Sequence, residues 1–202
     1  MKIDIEQARI LKGWQRFIQN GELMYNISAP IVRSWLRCQS NNLSAVKLLP
    51  EKLPLYPETI QAFPPGLLAS FGEFIAIVFD RLAEHKLLLT LVDAKGVLVN
   101  WKGNKGFLLT GPLNIGTDFR EESLGTMAVG LTLKEQKTYI TRGAEHYYSC
   151  YHGLVNCTVP LITENNFVGV LSGWSLFEQS DFMTAIVFLG QNLLYSNSKQ
   201  NI

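Results

Sequence analysis

The chain has 202 residues, 47% of them apolar, and its 18 basic and 17 acidic side chains leave a formal net charge of +1. This length suits one domain with helical extensions, and the apolar fraction is sufficient for a substantial core. Because neither the total charge nor any long stretch is strongly basic, the composition argues against a protein that binds nucleic acid or a membrane surface.

The first residues and the cysteines indicate a cellular compartment. The opening sequence MKIDIEQARI has no apolar core and no small-residue cleavage site, so no secretory signal is expected. The longest apolar run in a predicted helix, residues 185–194, is too short to span a bilayer. Cys38, Cys150 and Cys157 are odd in number, which favours free thiols in a reducing compartment. We therefore expect a cytoplasmic protein without a membrane segment.

Two helices are predicted near the start of the chain. Apolar residues recur at three- to four-residue spacing over residues 4–20, which predicts an amphipathic helix. A second helix carries Pro30 in its first turn and ends at Asn41. Residues 43–57 contain three prolines and show no period, so we expect a loop or linker that leads to the next domain.

A long helix over residues 67–85 precedes the first predicted strands. These strands flank Asp93-Ala94-Lys95-Gly96, which is a strong β-hairpin signal. The glycines of residues 103–116 indicate a flexible loop without a complete phosphate-binding motif. Ser123 is placed to cap a helix that continues to about Glu135.

The last part of the chain predicts a second hairpin and a final helix. A short strand, residues 138–141, is followed by an irregular polar and aromatic segment. Two apolar runs then flank Glu164-Asn165-Asn166, and a helix follows over residues 181–195. Adjacent hairpins imply an antiparallel sheet with helices covering one face, and thus one concave site.

The richest cluster of reactive side chains is residues 145–152, with Cys157 beyond it. Imidazole and thiolate groups are plausible metal ligands, but the spacing matches no regular metal motif. Cys150 and His146 are close enough in sequence for a nucleophile and its base, although no third group or oxyanion hole is evident. A small cysteine- and histidine-dependent enzyme or a metal-binding protein is therefore kept as the alternative function.

Two tryptophans lie at the ends of predicted strands, beside irregular loops. Strand ends next to loops are where ligand pockets open, and such pockets are mostly apolar with a few polar groups. Trp101 and Trp174 are thus candidates for a pocket between the sheet and residues 145–152. A third function, a purely protein-binding module, would have no small-molecule ligand at this pocket.

Apolar residues also form stripes on helices near both ends of the chain. Such stripes exceed what one sheet face needs, and they predict a dimer that pairs through helices. The residues are Trp14, Phe17 and Ile18 near one end, and Ile186, Leu189 and Leu193 near the other.

Six motifs occur in the same order as in one known family, and together they span roughly residues 30–178. They are Val32-Arg33-Ser34-Trp35-Leu36-Arg37-Cys38, LVDAKGVLV, Glu122-Ser123-Leu124-Gly125-Thr126-Met127-Ala128-Val129-Gly130, Gly143-Ala144-Glu145-His146-Tyr147, Cys157-Thr158-Val159-Pro160-Leu161 and GVLSGW. This ordered set resembles the N-terminal sensory region of the acetoin-catabolism and dihydroxyacetone-operon type activators, which work with the sigma-54 form of RNA polymerase. The family usually reads Gly-Thr-Asn-Ala, whereas this chain has Met127 in place of the asparagine.

The resemblance implies an α/β (α+β) fold of GAF type, an antiparallel sheet covered by helices, over residues 58–195. A helical region and linker, residues 1–57, would precede it, and residues 196–202 would be a frayed tail. The implied function is a non-enzymatic regulatory domain that senses a small-molecule effector and forms a homodimer through its flanking helices. An AAA+ ATPase normally follows in the family; this sequence has no GxxxxGK[ST] motif, so we expect a sensor fragment or a stand-alone relative.

The expected protein partners are an AAA+ activator domain or a regulatory protein, with no direct contact to nucleic acid or membrane. No catalytic or metal-binding residue is predicted, and the cofactor is left open. The predicted ligand-binding residues are those that the resemblance and the pocket argument place near one site, namely Trp101, Phe119, Glu122, Met127, His146, Tyr148, Cys150, Cys157 and Trp174.

Overall fold

A five-stranded antiparallel sheet forms the centre of the computed structural model, which describes residues 5–25, 27–56, 63–82, 86–177 and 180–200. The strand order β2-β1-β5-β4-β3 places the two hairpins side by side and the short β3 at one edge. The predicted antiparallel sheet is confirmed. The strands are β1 Leu87–Asp93, β2 Leu98–Gly103, β3 Tyr139–Arg142, β4 Leu154–Thr163 and β5 Asn166–Leu176.

Both hairpin turns follow from local chemistry. In the first turn, the Asp93 carboxylate accepts hydrogen bonds from the Lys95 and Val97 amides, each at 2.9 Å, and Gly96 supplies a positive φ of 86°. In the second, Glu164 and Asn165 both adopt positive φ angles, 48° and 66°. Two consecutive left-handed residues give a turn whose twist matches that of paired strands. These turns were therefore predictable from sequence.

Six α-helices surround the sheet within the described ranges. The first helix and the second agree with their predicted positions, and the third begins two residues earlier than predicted, its expected last residues 83–85 lying outside the description. The last helix continues five residues beyond the predicted end at Tyr195, to Gln200, and no glycine or proline is present in this stretch to end it. The helices are α1 Ile5–Asn20, α2 Ala29–Ser40, α3 Pro65–Leu82, α4 Glu121–Leu124, α5 Ala128–Glu135 and α6 Ser180–Gln200.

The helix predicted from Ser123 to Glu135 is wrong, because it is divided into α4 and α5. Gly125 ends α4 with a φ of 68°, and Met127 is extended, so the chain changes direction before α5 begins. Ser123 lies inside α4 and caps nothing; its hydroxyl donates to the Asp118 carboxylate at 2.7 Å. The break positions residues 125–127 against the sheet rather than on a helix surface.

Helices cover both faces of the sheet, not one face as predicted. On the side we call the outer face, Leu89, Val159 and Leu171 pack under α3 and α6. On the inner face, Leu88, Val170 and Trp174 belong to a second core that includes α1, α2 and α4. None of the helices in the described ranges is long and apolar enough to cross a membrane. The boundary expected between residues 57 and 58 lies outside the described residues, so the domain division stays a prediction.

Candidate functional site

A row of hydroxyl groups crosses the inner face of the sheet. Thr90 on β1 is opposite Ser172 on β5, and Ser172 is opposite Thr158 on β4. In the next row, Trp174 is opposite Asn156. All five side chains are completely buried. Polar groups inside a core are costly unless they are hydrogen-bonded, so their partners decide what this region does.

These side chains form one connected hydrogen-bond network. The Asn156 amide donates to the Ser172 hydroxyl at 2.8 Å and to the Gly173 carbonyl at 3.0 Å, and the Thr158 and Ser172 hydroxyls are 2.7 Å apart. The Trp174 indole donates to the Thr90 hydroxyl at 3.1 Å, and that hydroxyl donates to the Ser172 carbonyl at 3.4 Å, which joins this pair to the other three side chains. Every member therefore has an internal partner. We call Thr90, Asn156, Thr158, Ser172 and Trp174 the inner network.

The α4–α5 turn forms a roof over the inner network. Met127, in this turn, and Phe119, two residues before α4, are both fully buried, and the Phe119 ring meets the Trp174 ring edge-on at 5.8 Å between centroids. The Met127 side chain offers no oxygen to the free N–H groups of α5. Instead the Val129 N–H donates to the Asn156 side chain at 3.1 Å. The roof is thus attached to the network that it covers.

His146 connects the loop of residues 145–152 to the start of α5. Its Nδ1 donates to the Gly143 carbonyl at 2.8 Å, and its Nε2 is 3.0 Å from the Thr141 hydroxyl. The Thr141 oxygen in turn accepts the Ala128 N–H at 3.1 Å, so the hydroxyl proton is directed at Nε2. This arrangement needs a neutral ring, and complete burial lowers the pKa of His146 to about 3. The imidazole is a structural link here.

A segment before the sheet connects two loops that cover the inner face, residues 103–116 and residues 145–152. We call residues 43–56 the strap. The Ala45 carbonyl accepts the Ser149 N–H at 2.9 Å, and the Pro50 carbonyl accepts the Thr110 N–H at 3.0 Å. Because the strap bonds to both loops, it lies across the space between them.

The loops also contact each other and the core directly. The Tyr151 hydroxyl donates to the Leu108 carbonyl at 3.1 Å, and Leu108 and Leu109 are fully buried. The predicted flexible loop, residues 103–116, is therefore packed against the inner core over part of its length.

The two N-terminal helices, α1 and α2, are hydrogen-bonded to the loop that contains His146. The Trp14 indole of α1 donates to the Tyr147 carbonyl, and the Trp35 indole of α2 donates to the Glu145 carbonyl, both at 2.9 Å. Trp14 also meets the His152 ring edge-on, with centroids 4.6 Å apart. The apolar stripe of α1 is thus used within the chain.

A buried ion pair fastens α2 to the roof. Glu121, at the start of α4, is 2% exposed and receives two hydrogen bonds from the Arg37 guanidinium, at 2.7 and 2.8 Å. The Ser34 hydroxyl donates to the same carboxylate at 2.5 Å and lies 2.7 Å from the Thr126 hydroxyl. We call Ser34, Arg37, Glu121 and Thr126 the clamp. It connects the N-terminal helices to the segment that covers the inner network.

The structure brings together some of the predicted ligand-binding residues. Phe119, Met127 and Trp174 meet in the inner layer, and His146 and Tyr148 lie in the adjoining loop under α1 and α2. Trp101 is partly buried on β2, opposite Thr90, at the edge of this layer. Cys150 is half-buried in the loop beside the strap.

Two predicted residues lie elsewhere. Cys157 is on the outer face, among the side chains under α3 and α6, because it alternates along β4 with Asn156 and Thr158. It therefore cannot share a pocket with Trp174. Glu122 is exposed and lines a separate surface depression of about 210 Å³, together with Lys95, Arg120 and Lys134.

The geometry gives little support to cysteine chemistry. Burial raises the pKa of Cys38 to about 12 and the pKa of Cys150 and Cys157 to about 11, so all three thiols are protonated at neutral pH and are weak nucleophiles. Within the described residues, no group of three or more histidine, cysteine, aspartate or glutamate side chains is arranged to hold a metal ion.

Sequence reasoning missed four members of the inner network and all four residues of the clamp. The signal for the network was present: apolar and polar residues alternate along Leu154–Val159, which puts Asn156 and Thr158 on one face and Val155 and Cys157 on the other. Thr90 and Ser172 had no such signal, since both lie in almost wholly apolar runs. Arg37 and Glu121 are 84 residues apart, and no local pattern pairs them.

Comparison with known proteins finds likeness in structure only. No family model and no curated protein matches the sequence. A chain of the E. coli DhaR(N)–DhaL complex is 19% identical to this chain, covering 86% of this chain with a TM-score of 0.62. The match spans 63% of that chain, which is less than two thirds of its length.

Two more distant structures are the GAF-B domain of DevS from Mycobacterium smegmatis and Pseudomonas aeruginosa HmgR. The first is 16% identical over 67% of this chain and 97% of that chain, with a TM-score of 0.38. The second is 10% identical over 95% of this chain and 84% of that chain, with a TM-score of 0.43. The predicted α+β fold, an antiparallel sheet covered by helices, is confirmed.

The clamp predicts very different effects for the same substitution at two arginines of α2. Arg37→Gln should lower the free energy of unfolding by about 2–3 kcal/mol, because Glu121 would stay buried without its cation; the loss is moderated because Arg37 is itself 33% exposed. Arg33→Gln removes the exposed pair with Glu135 and should cost about 0.5 kcal/mol or less. Urea unfolding measures both. Similar losses for the two variants would contradict a special role for the clamp.

The neutral His146 ring predicts acid sensitivity. The pKa of the folded state, about 3, lies below the ordinary value of 6.5, so the unfolded chain binds a proton that the folded chain does not as the pH falls through this window. The free energy of unfolding should therefore decrease from about pH 6.5 downward. In His146→Asn this slope should flatten, whereas His152→Asn should change it less because that ring is only partly buried. Unchanged slope in His146→Asn would contradict the assignment.

Proposed function

We propose that this chain is the signal-sensing domain of a bacterial transcriptional regulator, which binds a small molecule at the inner face and passes the signal to its flanking helices. The observation that carries the proposal is the inner network, a connected set of polar side chains inside a core and beneath a roof. Replacing buried polar groups with apolar residues of similar volume often costs no stability. A buried polar network is therefore not needed for folding, and its presence favours a role in binding.

Two likenesses support the regulatory part of this proposal. The sequence motifs resemble sigma-54-dependent activators, and DhaR, whose complex with DhaL contains the similar chain, is a sigma-54-type activator. An AAA+ activator domain or a separate regulatory protein is the partner that such a role implies. The DhaR(N)–DhaL complex provides one example of a protein partner for a similar chain.

Binding at the inner network requires the roof to move. The Phe119 ring packs against Trp174, Met127 is buried in the same core cluster, and the strap is bonded to the loops around them. A ligand must therefore displace part of residues 121–127, to which the clamp fastens α2. Because a ligand shifts an equilibrium only by its differential affinity for two states, the proposed signal is the altered position of α2 when the roof is displaced.

The alternative function, a small cysteine- and histidine-dependent enzyme, has weaker support. An activated thiol needs a lowered pKa or an adjacent base, whereas burial raises the pKa of Cys150, and both ring nitrogens of His146 have other partners. Loss of turnover in Cys150→Ala, with any substrate, would revive this alternative.

The binding proposal predicts a non-covalent adduct. Native mass spectrometry of protein purified directly from its own cells should show extra mass that disappears on denaturation. Trp174→Phe removes the indole donor to Thr90 and should lower the bound fraction, while Lys137→Ala, at an exposed position, should leave it unchanged. A wild-type protein without bound mass, or equal effects of the two variants, would count against the inner network as the site.

We also propose a homodimer, but through a smaller surface than the sequence predicts. Trp14 and Phe17 are buried within their own chain at 7% and 0% exposure, so α1 cannot supply the expected stripe. Ile186 is likewise buried, at 6%. Apolar side chains are exposed instead on the neighbouring helices α3 and α6, namely Ile77 at 56%, Phe182 at 38%, Phe188 at 39% and Leu189 at 52%.

This surface predicts which single change separates the subunits. Ala69, Gly72 and Ala76 are small, exposed and spaced along one side of α3, which allows close helix approach. Sedimentation of the wild type should show a dimer at micromolar concentration, and Leu189→Glu should give monomers. Leu11→Glu, at 39% exposure on α1, should remain dimeric. A monomeric wild type would refute the dimer and leave the face to a different protein.

A further inference from the structure

We propose that the surface depression between the first hairpin turn and α5 is a second binding site, which takes a small anion that carries a phosphate group. The depression has a volume of about 210 Å³. Its lining comes from the turn between β1 and β2, from the residues that begin α4, and from α5. No member of the inner network contributes to this lining, so the proposal does not depend on a ligand at the inner face.

Three basic side chains from three separate segments line the depression. Lys95 lies in the hairpin turn, Arg120 directly precedes α4, and Lys134 lies in the last turn of α5. Among the described residues, neither Lys95 nor Lys134 forms an ion pair, whereas Arg37 and Arg120 do. Both ammonium groups are therefore available to a ligand, and a concave surface concentrates their field.

Arg120 is held in one position by its neighbours. Its Nε and Nη2 donate to the Asp118 carboxylate at 2.8 and 2.9 Å, and its guanidinium lies over the Tyr56 ring, 5.2 Å from the centroid. Asp118 is 2% exposed and also accepts the Ser123 hydroxyl at 2.7 Å, so this carboxylate is itself fixed. The remaining N–H groups of Arg120 can donate to an anion with little further loss of side-chain freedom, which lowers the entropic cost of binding.

The glycine of the hairpin turn allows the three segments to meet. A Cβ atom on Gly96 would lie 2.4 Å from the Arg120 Cγ and 3.3 Å from the Leu133 Cδ1, so a side chain at this position would separate them. Gly96 also has a φ of 86°, a conformation that other residues rarely adopt. Close packing at Gly96 therefore brings the hairpin turn, Arg120 and α5 to one surface.

The charges in the lining favour an anion over a cation. Arg120 and Glu121 are each paired within the chain, so they contribute little net charge. Of the other charged groups in the lining, Lys95 and Lys134 are positive and Glu122 is negative. The excess of positive charge attracts an anion, and Glu122 limits that attraction. Removal of Glu122 should therefore act in the opposite direction to removal of a lysine.

A phosphate group suits this arrangement better than a carboxylate does. It carries about −1.5 to −2 charges at neutral pH and three acceptor oxygens, so it has one acceptor for each of the three basic groups. The volume of about 210 Å³ is below the roughly 300 Å³ at which pockets for drug-sized ligands begin. The rest of the ligand is thus limited to a few carbon atoms, which would lie next to Ala94 and Leu133.

Nuclear magnetic resonance titration of the ¹⁵N-labelled full chain tests the site. Glycerol phosphate and inorganic phosphate are the probes, glycerol is the uncharged control, and sodium chloride keeps the ionic strength constant. The amide signals of Lys95, Gly96 and Leu133 should shift with both phosphate probes and not with glycerol. Because exposed charge contacts are individually weak, the Kd should be about millimolar.

Two charge variants should have effects of opposite sign. Lys134→Gln should raise the Kd at least about threefold, and Glu122→Gln should lower it. Lys137→Gln and Glu22→Gln make the same charge changes at exposed positions outside the depression, and they should leave the Kd nearly unchanged. All four positions are exposed, so the variants should keep the wild-type fold, which urea unfolding checks.

The relative affinity of the two probes identifies the source of the phosphate group. Tighter binding of glycerol phosphate assigns the site to phosphate esters, and tighter binding of inorganic phosphate assigns it to free phosphate. Equal losses in Lys134→Gln and Lys137→Gln would show attraction by overall charge alone and would overturn the site. Absence of amide shifts with both phosphate probes would also overturn it, and neither result bears on the inner network.

Discussion

The bond between Glu121 and Arg37 is the contact on which the inner half of the molecule depends. A carboxylate that is 2% exposed must be paired, and its cation comes from a helix 84 residues earlier in the chain. This pairing brings α2 over the roof, and α2 then places Trp35 on the loop that contains His146. The strap that follows α2 is hydrogen-bonded to the loops of residues 103–116 and 145–152. One buried ion pair thus joins the N-terminal helices to the segment that covers the inner face.

The fold was predictable where the deciding interactions are local, and unpredictable where they are distant. Both hairpins were correct, because Asp93, Gly96 and Asn165 determine their own turns. The division between α4 and α5 was not, because the N–H groups of α5 are capped by Thr141 and Asn156 from the sheet. The prediction that helices cover one face of the sheet was wrong for the same reason. Periodicity shows that α1 has an apolar side, but it does not show which part of the protein that side packs against.

The candidate site shows a similar division. Phe119, Met127 and Trp174 were placed near one site, and the structure brings them together. Cys157 was predicted to line the same site, whereas strand alternation puts it with Val155 and Val159 on the outer face, and this pattern is visible in the sequence. Physical chemistry favours the plainer view, since a buried cysteine usually behaves as a small apolar residue.

In the proposed function, the departure at Met127 links the roof to ligand binding. An asparagine at this position would offer hydrogen bonds of its own to the helix or to a ligand, whereas methionine fills space and leaves the α5 N–H groups to Asn156. Asn156 consequently holds the roof down and forms part of the inner network at the same time. A ligand that bonds to Asn156 competes with the helix for it, so binding and release of the roof are one event. Since allosteric coupling of about 1–3 kcal/mol is sufficient for regulation, exchange of one or two such hydrogen bonds is of the right size. In this proposal the clamp passes the movement to α2, because Glu121 and Thr126 of this segment are hydrogen-bonded to Arg37 and Ser34.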